Sequence, residues 1–249
     1  MIRGLYTAVS GMVAAMRRME VATNNLANVQ TPGYKQDRTA SATFGEQFQF
    51  QLARQLEARG PLALATLALG PQLDLSQGPL QRTGRALDVA LQGPGFLVLD
   101  SPGGPRYTRD GSLTVTADGT LVTSTGAVVQ GETGPLVLPP GDALAIDPDG
   151  TVRVDEAVVG RLQIVEFDPA QEFERVGNNE LVPRGGTAPQ PATATTVLQG
   201  YIEQSNVDLT GVLTTTLALQ RAYTANQRAV QQQDELLARA ATEIARPPS

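Results

Sequence analysis

Apolar side chains recur at Ile2, Leu5, Val9, Met12, Met16, Met19 and Leu26 in alternating steps of three and four, with Thr23 in the one polar slot. This is a heptad seam of about three and a half repeats, more regular than the broad stripe of an ordinary surface helix. It predicts an N-terminal helix that stops at Thr31-Pro32-Gly33, which contains the two strongest breakers. The same steps return at the other end through Leu209, Val212, Thr216, Leu219, Tyr223, Asn226, Val230, Gln233, Leu237, Ala240 and Ile244, and Pro247-Pro248 ends the run. Leu213, Leu217 and Leu236 widen that stripe, while Thr216, Asn226 and Gln233 weaken the seam and can fix its register. Two seams on one chain are most simply satisfied by packing on each other. Two independent surface helices are the plainer alternative.

Between the helices the period shifts to two. Strands are expected at Asp88–Leu91, Gly95–Leu99, Ser112–Thr116, Thr120–Thr123, Thr151–Val154 and Gly160–Phe167, separated by turn residues. Asp110-Gly111, Asp118-Gly119 and Asp149-Gly150 predict tight hairpins, because both residue types tolerate positive φ. A Pro/Gly/Thr-rich run from Pro183 to Thr196 reads as a long surface loop. The expected architecture is α+β, with terminal helices packing as a coiled coil and a central antiparallel all-β domain. Its segments are 1–39, a connecting or assembly stretch 40–76, the β domain 77–198 and the C-terminal helical segment 199–249. In the connecting stretch, Phe44, Phe48, Leu52 and Leu56 share a helical face, and the apolar run Leu62–Leu69 is either a buried extended segment or an assembly surface.

Composition narrows the chemistry. The chain has 249 residues, no cysteine and no histidine, which excludes disulfides, thiol nucleophiles, Cys/His zinc sites and His-based triads. A net charge of −6 with a single lysine, Lys35, argues against a nucleic-acid partner. Aromatics are 4% of residues and tryptophan is absent, so packing is expected to rely on Leu, Val and Ala. The N-terminus lacks the pattern of a cleaved secretory signal, and Leu62–Leu69 is too short to span a bilayer.

Three stretches imitate functional sites. Gly93-Pro94-Gly95 begins like a dinucleotide loop, but it has an internal proline and neither a third glycine nor a following helix. Asp147-Pro148-Asp149-Gly150 opens like a calcium loop without the later ligands, and a β-turn explains it better. Glu166, Asp168, Glu172 and Glu174 could serve acid–base chemistry, though a solvated loop is the ordinary reason for such a run. No catalytic, cofactor-binding or metal residue is therefore assigned, no cofactor is expected, and an enzyme is not expected. The block Asn24-Asn25-Leu26-Ala27-Asn28 is less ordinary, since three asparagines in five residues suit a helix poorly.

At that block the chain resembles the rod and hook family of flagellar axial proteins. The N-terminal match is Ser10-Gly11-Met12, Asn24 to Val29 and Thr31-Pro32-Gly33-Tyr34-Lys35. Leu87 to Phe96 and Tyr107-Thr108-Arg109-Asp110-Gly111-Ser112 resemble its central motifs. Gly200-Tyr201-Ile202-Glu203-Gln204-Ser205-Asn206-Val207-Asp208 and Gln220-Arg221-Ala222-Tyr223 resemble its C-terminal signature. The resemblance implies a structural, self-assembling subunit of the basal-body rod in the cell envelope, whose terminal helices form an inner layer. It implies partners among its own copies and other rod and hook subunits, with no nucleic acid, small-molecule substrate or transmembrane segment. It also implies export by the flagellar type III apparatus without signal cleavage. Within the family, chain length and the Tyr107 and C-terminal blocks point to the distal rod, with a proximal rod subunit as the alternative. A non-flagellar coiled-coil adaptor and a β-domain hydrolase are the readings from other classes.

Overall fold

A computed structural model describes residues 2–39, 71–141, 143–185 and 188–244. The Phe44–Leu56 face and the Leu62–Leu69 run lie outside the described residues. Two long helices bracket the strands: α1 (Ile2–Ala27) and α2 (Leu209–Ile244). The chain divides into a helical unit, residues 1–26, 37–72 and 209–249, and a β unit, residues 27–36 and 73–208.

The β unit is antiparallel throughout its paired strands. β5 (Phe96–Asp100) lies at its centre, between β6 (Arg106–Thr108) and β9 (Val128–Gly131), and also pairs with β14 (Ile164–Glu166). Alternation along β5 explains its run of apolar residues, because successive side chains face opposite ways. Leu97 and Leu99 enter an aliphatic core with Val89, Leu91, Leu113, Leu121, Val129, Val152, Leu162 and Val197. Phe96 and Val98 enter a second core with Tyr107, Val165, Phe173 and Leu181. The few rings are concentrated there: Phe167 meets Tyr107, Phe173 and Phe96 edge-on at 4.8, 5.0 and 6.1 Å. The expected dependence on Leu and Val thus holds for one core, and the other gathers four of the rings.

The hairpins divide differently from the sequence expectation. Asp118-Gly119 joins β7 (Leu113–Val115) to β8 (Leu121–Thr123), and Asp149-Gly150 joins β11 (Leu144–Ile146) to β12 (Thr151–Val154), with Gly119 at φ 81° and Gly150 at 88°. Asp110-Gly111 is not a hairpin turn. It is buried, and Gly111 is there because its missing Cβ would fall 1.6 Å from the Val89 carbonyl oxygen. Two further hairpins lie outside the sequence expectation, the first without any glycine and the second with Gly177 at φ 112° just ahead of its turn. Asp155-Glu156 joins β12 to β13 (Ala157–Arg161), and Asn178-Asn179 lies between β15 (Phe173–Gly177) and β16 (Glu180–Pro183), all four residues at positive φ. The expected strand Gly160–Phe167 is broken between β13 and β14, and the expected loop Pro183–Thr196 contains the short β17 (Gln190–Pro191) and the start of β18 (Thr196–Gln199).

In the helical unit, the buried apolar side chains among those described in α1 are Ala8, Ala15 and Ala22, with Met12, Met19 and Leu26 half-buried. Val9 and Met16 are 44% and 49% exposed in the single chain. The inward seam therefore runs 8-12-15-19-22-26, sharing half its positions with the one expected and replacing the others by the preceding alanine. Small residues stand where α2 comes close: a Cβ on Gly11 would lie 2.8 Å from the side-chain nitrogen Nδ2 of Asn226. On α2, Val212 is buried and Thr216, Leu219, Tyr223, Asn226, Val230 and Gln233 are half-buried, whereas Leu209, Leu213, Leu217 and Leu236 are exposed. The side chains of Ile2, Leu5 and Leu237 lie outside those described.

Candidate functional site

The motifs flanking the two helices meet inside the β unit. Residues 28–30 form a turn after α1, where the Thr31 amide donates to the Asn28 carbonyl (3.1 Å) and the Thr31 hydroxyl to the Asn28 side chain (3.2 Å). Gly33 then takes φ 67° and its amide donates to the Glu203 carbonyl at 2.8 Å. A side chain at Gly33 would have its Cβ 2.3 Å from the Asp110 amide nitrogen, so glycine is required by both backbone and space. Glu203 belongs to β19 (Tyr201–Glu203), which pairs with β3 (Leu80–Arg82), bringing the C-terminal signature back to the start of the β unit.

Glu203 is fully enclosed and every oxygen of its carboxylate is engaged. Oε1 accepts from Lys35 Nζ at 2.6 Å and from the Gly78 amide at 2.9 Å, and Oε2 accepts from Arg109 at 3.1 Å. Lys35 also donates to the Ser76 carbonyl (2.8 Å). The Arg109 guanidinium donates to the carbonyls of Leu91 (3.4 Å) and Gly93 (2.6 Å) and lies 4.9 Å from the centre of the Phe96 ring. Burial pulls the Lys35 ammonium and the Arg109 guanidinium below their ordinary ranges, and the Glu203 charge opposes that pull on both. Two cations and one anion thus sit where water cannot reach, each cation tied to Glu203 and to backbone carbonyls, while Arg109 Nε is buried without a hydrogen-bond partner among the described residues.

Neutral contacts extend this cluster. Asn206 accepts the Gln36 amide (2.7 Å) and donates to the carbonyls of Asp74 (2.8 Å) and Ser76 (3.1 Å). Arg175 stacks 4.2 Å from the Tyr34 ring centre, donates to its hydroxyl at 2.9 Å and also reaches the Lys35 carbonyl. Asn179 donates to the Pro32 carbonyl (3.2 Å). In the helical unit, buried Asn25 bonds both backbone groups of Asp37, at 2.8 and 2.9 Å, imitating a strand partner for β1 (Asp37–Thr39).

The signature residues therefore separate. Tyr34, Gly200, Glu203 and Asn206 are joined in the β unit, where Ser205 and Val207 are also buried. Gln220, Arg221 and Ala222 stay exposed on α2, beside half-buried Tyr223. Sequence reasoning assigned no role to Lys35, Arg109, Arg175 or Asn179. The signal within reach was Lys35 itself, the one lysine in the chain, directly after a Pro-Gly-Tyr turn.

The enzyme-like stretches are accounted for structurally. Cβ atoms on Gly93 and Gly95 would crowd Ala194 and Thr195, so these glycines seat a neighbouring loop. Asp149 closes its turn by accepting the Thr151 amide (3.0 Å) and hydroxyl (2.9 Å), which hold its carboxyl below the ordinary range. Glu166 accepts from Thr195 (2.7 Å) and Ala194 (2.9 Å), Asp168 from the Ala170 amide (2.8 Å), and Arg184 lies near both Glu172 and Glu174. A surface depression of about 670 Å³ between Leu87, Val115, Leu138 and Val154 has one ionisable residue in its lining, Asp118. Among the described residues no group of three or more metal-ligating side chains occurs, and no helix is long and apolar enough to cross a membrane.

The segments that adjoin the two helices along the chain are joined in one β body, and several large apolar side chains of the helices are exposed, features of a structural protein with no enzyme-like site among the described residues. Three family profiles match in order: flagella basal body rod protein at residues 5–35, flagellar hook protein FlgE/F/G D1 domain at 90–154, and flagellar basal body rod FlgEFG protein C-terminal at 198–243. The chain is 32% identical over 225 residues to the flagellar basal-body rod protein FlgF of Caulobacter vibrioides, covering 90% of each. It is 33% identical over 264 residues to the rod protein FlgG of Bacillus subtilis, covering 95% of this chain and 97% of that one. It belongs to the flagellar basal-body rod protein family, whose members are structural proteins and not enzymes.

Proposed function

We propose that the chain is a distal rod subunit, assembling through its terminal helices into a coiled-coil inner layer of a tube that transmits motor torque across the envelope. The observation that carries this reading is the apolar surface left on both helices. Val9, Val13 and Met16 on α1, and Leu209, Leu213, Leu217 and Leu236 on α2, are all exposed in the single chain. At about 1.5–3 kcal/mol per large side chain covered, several such contacts outweigh the entropy of ordering the helices against neighbouring copies. The assembly surface comprises these residues together with the seam residues Ile2, Leu5, Met12, Met19, Leu26, Val212, Leu219, Tyr223, Val230 and Leu237. Polar Thr216, Asn226 and Gln233 set register within it.

Support for the distal position is the alignment with the FlgG of Bacillus subtilis over nearly the whole of both chains. The FlgF of Caulobacter vibrioides is equally similar in identity and favours a proximal place. The subunit reaches the periplasmic space through the flagellar type III export apparatus, and a chain without cysteine cannot be trapped by disulfides on the way. Electron microscopy of basal bodies from a strain lacking the gene decides the position: a rod that ends late, without a hook, supports the distal reading, and one that ends early assigns the chain to the proximal rod. Complementation with Val9→Asp tests the surface. The expected result is a subunit with a folded β unit that does not enter rods; normal incorporation would remove the helix-surface argument.

A further inference from the structure

We propose that Glu203, with Lys35 and Arg109, is a closure latch: the β unit completes its packing only when the segments adjoining both terminal helices have returned to it together. This rests on the cluster's geometry and is independent of the rod position.

Glu203 holds three distant parts of the chain at once. Its carbonyl takes the Gly33 amide and its carboxylate takes Lys35, both in the segment after α1. The same carboxylate takes the Gly78 amide ahead of β3 and Arg109 just after β6. Side-chain exposure is 2% for Lys35, 2% for Arg109 and 0% for Glu203. A structure with Lys35 docked and Glu203 absent would bury two like charges with no anion between them. One with Glu203 and Arg109 docked and Lys35 absent leaves one balanced pair, but strips the Glu203 carbonyl and the Asn206 side-chain oxygen of the Gly33 and Gln36 amides that donate to them. Partial closure therefore leaves buried charge or backbone uncompensated, and closure in one step does not. The two segments so fixed run directly out of α1 and into α2 along the chain.

Hydrogen exchange on the unsubstituted full chain tests this without a variant. The Gly33, Gln36, Gly78 and Gln204 amides, all bonded across the junction, should exchange as slowly as the Val98 amide of β5. Junction amides exchanging far faster than Val98 would show that the ends open alone, and would overturn the latch. A substitution cycle supplies a second, sign-specific reading. Glu203→Gln should lower the melting temperature by roughly 10 °C, because it leaves two buried cations facing an amide. Lys35→Met should lower it less, and the double variant Lys35→Met/Glu203→Gln should melt above Glu203→Gln, since removing Lys35 relieves the repulsion. A double variant at or below Glu203→Gln would overturn the proposal. If Glu203→Gln does not fold, a folded double variant is the rescue the latch requires, and an unfolded one counts against it.

Discussion

In the β unit large apolar side chains are the most deeply buried, whereas the apolar positions enclosed on α1 belong to alanines. Leu91, Leu97, Leu99, Leu113 and Leu121 are at most 1% exposed, while Leu217 of α2 is 57% exposed. The β unit also encloses formal charges, whereas the buried polar side chain among those described in the helices is neutral Asn25. The β unit leaves single valines such as Val158 outside, but the leucines of its cores are enclosed; the helices leave several leucines exposed in the single chain. The difference teaches that the enclosed leucines carry the stability of the β unit, while those exposed on the helices are free for the assembly proposed above, so substitutions should separate the two.

The largest effect should come where the β unit has no slack. Gly111→Ala places a Cβ 1.6 Å from the Val89 carbonyl oxygen, so the backbone of β4 (Val89–Gln92) must move. A loss above about 4 kcal/mol is expected, read as loss of the near-UV circular dichroism of the β unit. A folded variant of ordinary stability would break the picture of a tightly closed body. Next in size, Leu97→Ala should cost about 2–5 kcal/mol in denaturant unfolding, and Leu217→Ala on the free chain less than about 0.5 kcal/mol. Equal losses would erase the contrast between the two regions.

The smallest effect concerns buried charge and depends on pH. Burial pushes the Asp110 carboxyl above its ordinary value of 3.8, the neighbouring Asp88 charge adds to this, and hydrogen bonds from Ser112 and Ser124 oppose it. A carboxyl raised in the folded state contributes stability below its unfolded value and loses it as pH rises through the folded one. Asp110→Asn should therefore match the parent below about pH 4 and exceed it in melting temperature near pH 7. An advantage that does not vary with pH would place the effect in packing and not in charge.

Much of the architecture was legible because it is written in local periods. Heptad steps gave both helices, alternation gave the strands around Leu97 and Thr151, and glycine after aspartate gave two hairpins. The Asp155-Glu156 turn was silent because both residues take left-handed backbone without glycine, whereas Gly177-Asn178-Asn179 held a turn signal that went unread. Asp110-Gly111 misled for the converse reason: its glycine answers a neighbour distant in sequence. The seam on α1 shifted by one residue at alternate positions because apolar size marks what can be buried, while a close neighbour admits only alanine or glycine.

The sequence by itself determined the helix–strands–helix order, the lack of histidine and cysteine chemistry, and the motifs that place the chain among rod proteins. Tertiary structure alone decided that Lys35, Arg109 and Glu203 share one buried site, that β5 lies between two cores, and which apolar residues remain outside. Periodicity records what each residue's neighbours along the chain require. The Glu203 ion pairs join residues 168 and 94 positions apart, and the close approach of Gly111 to Val89 brings together separate segments, so neither leaves a local trace.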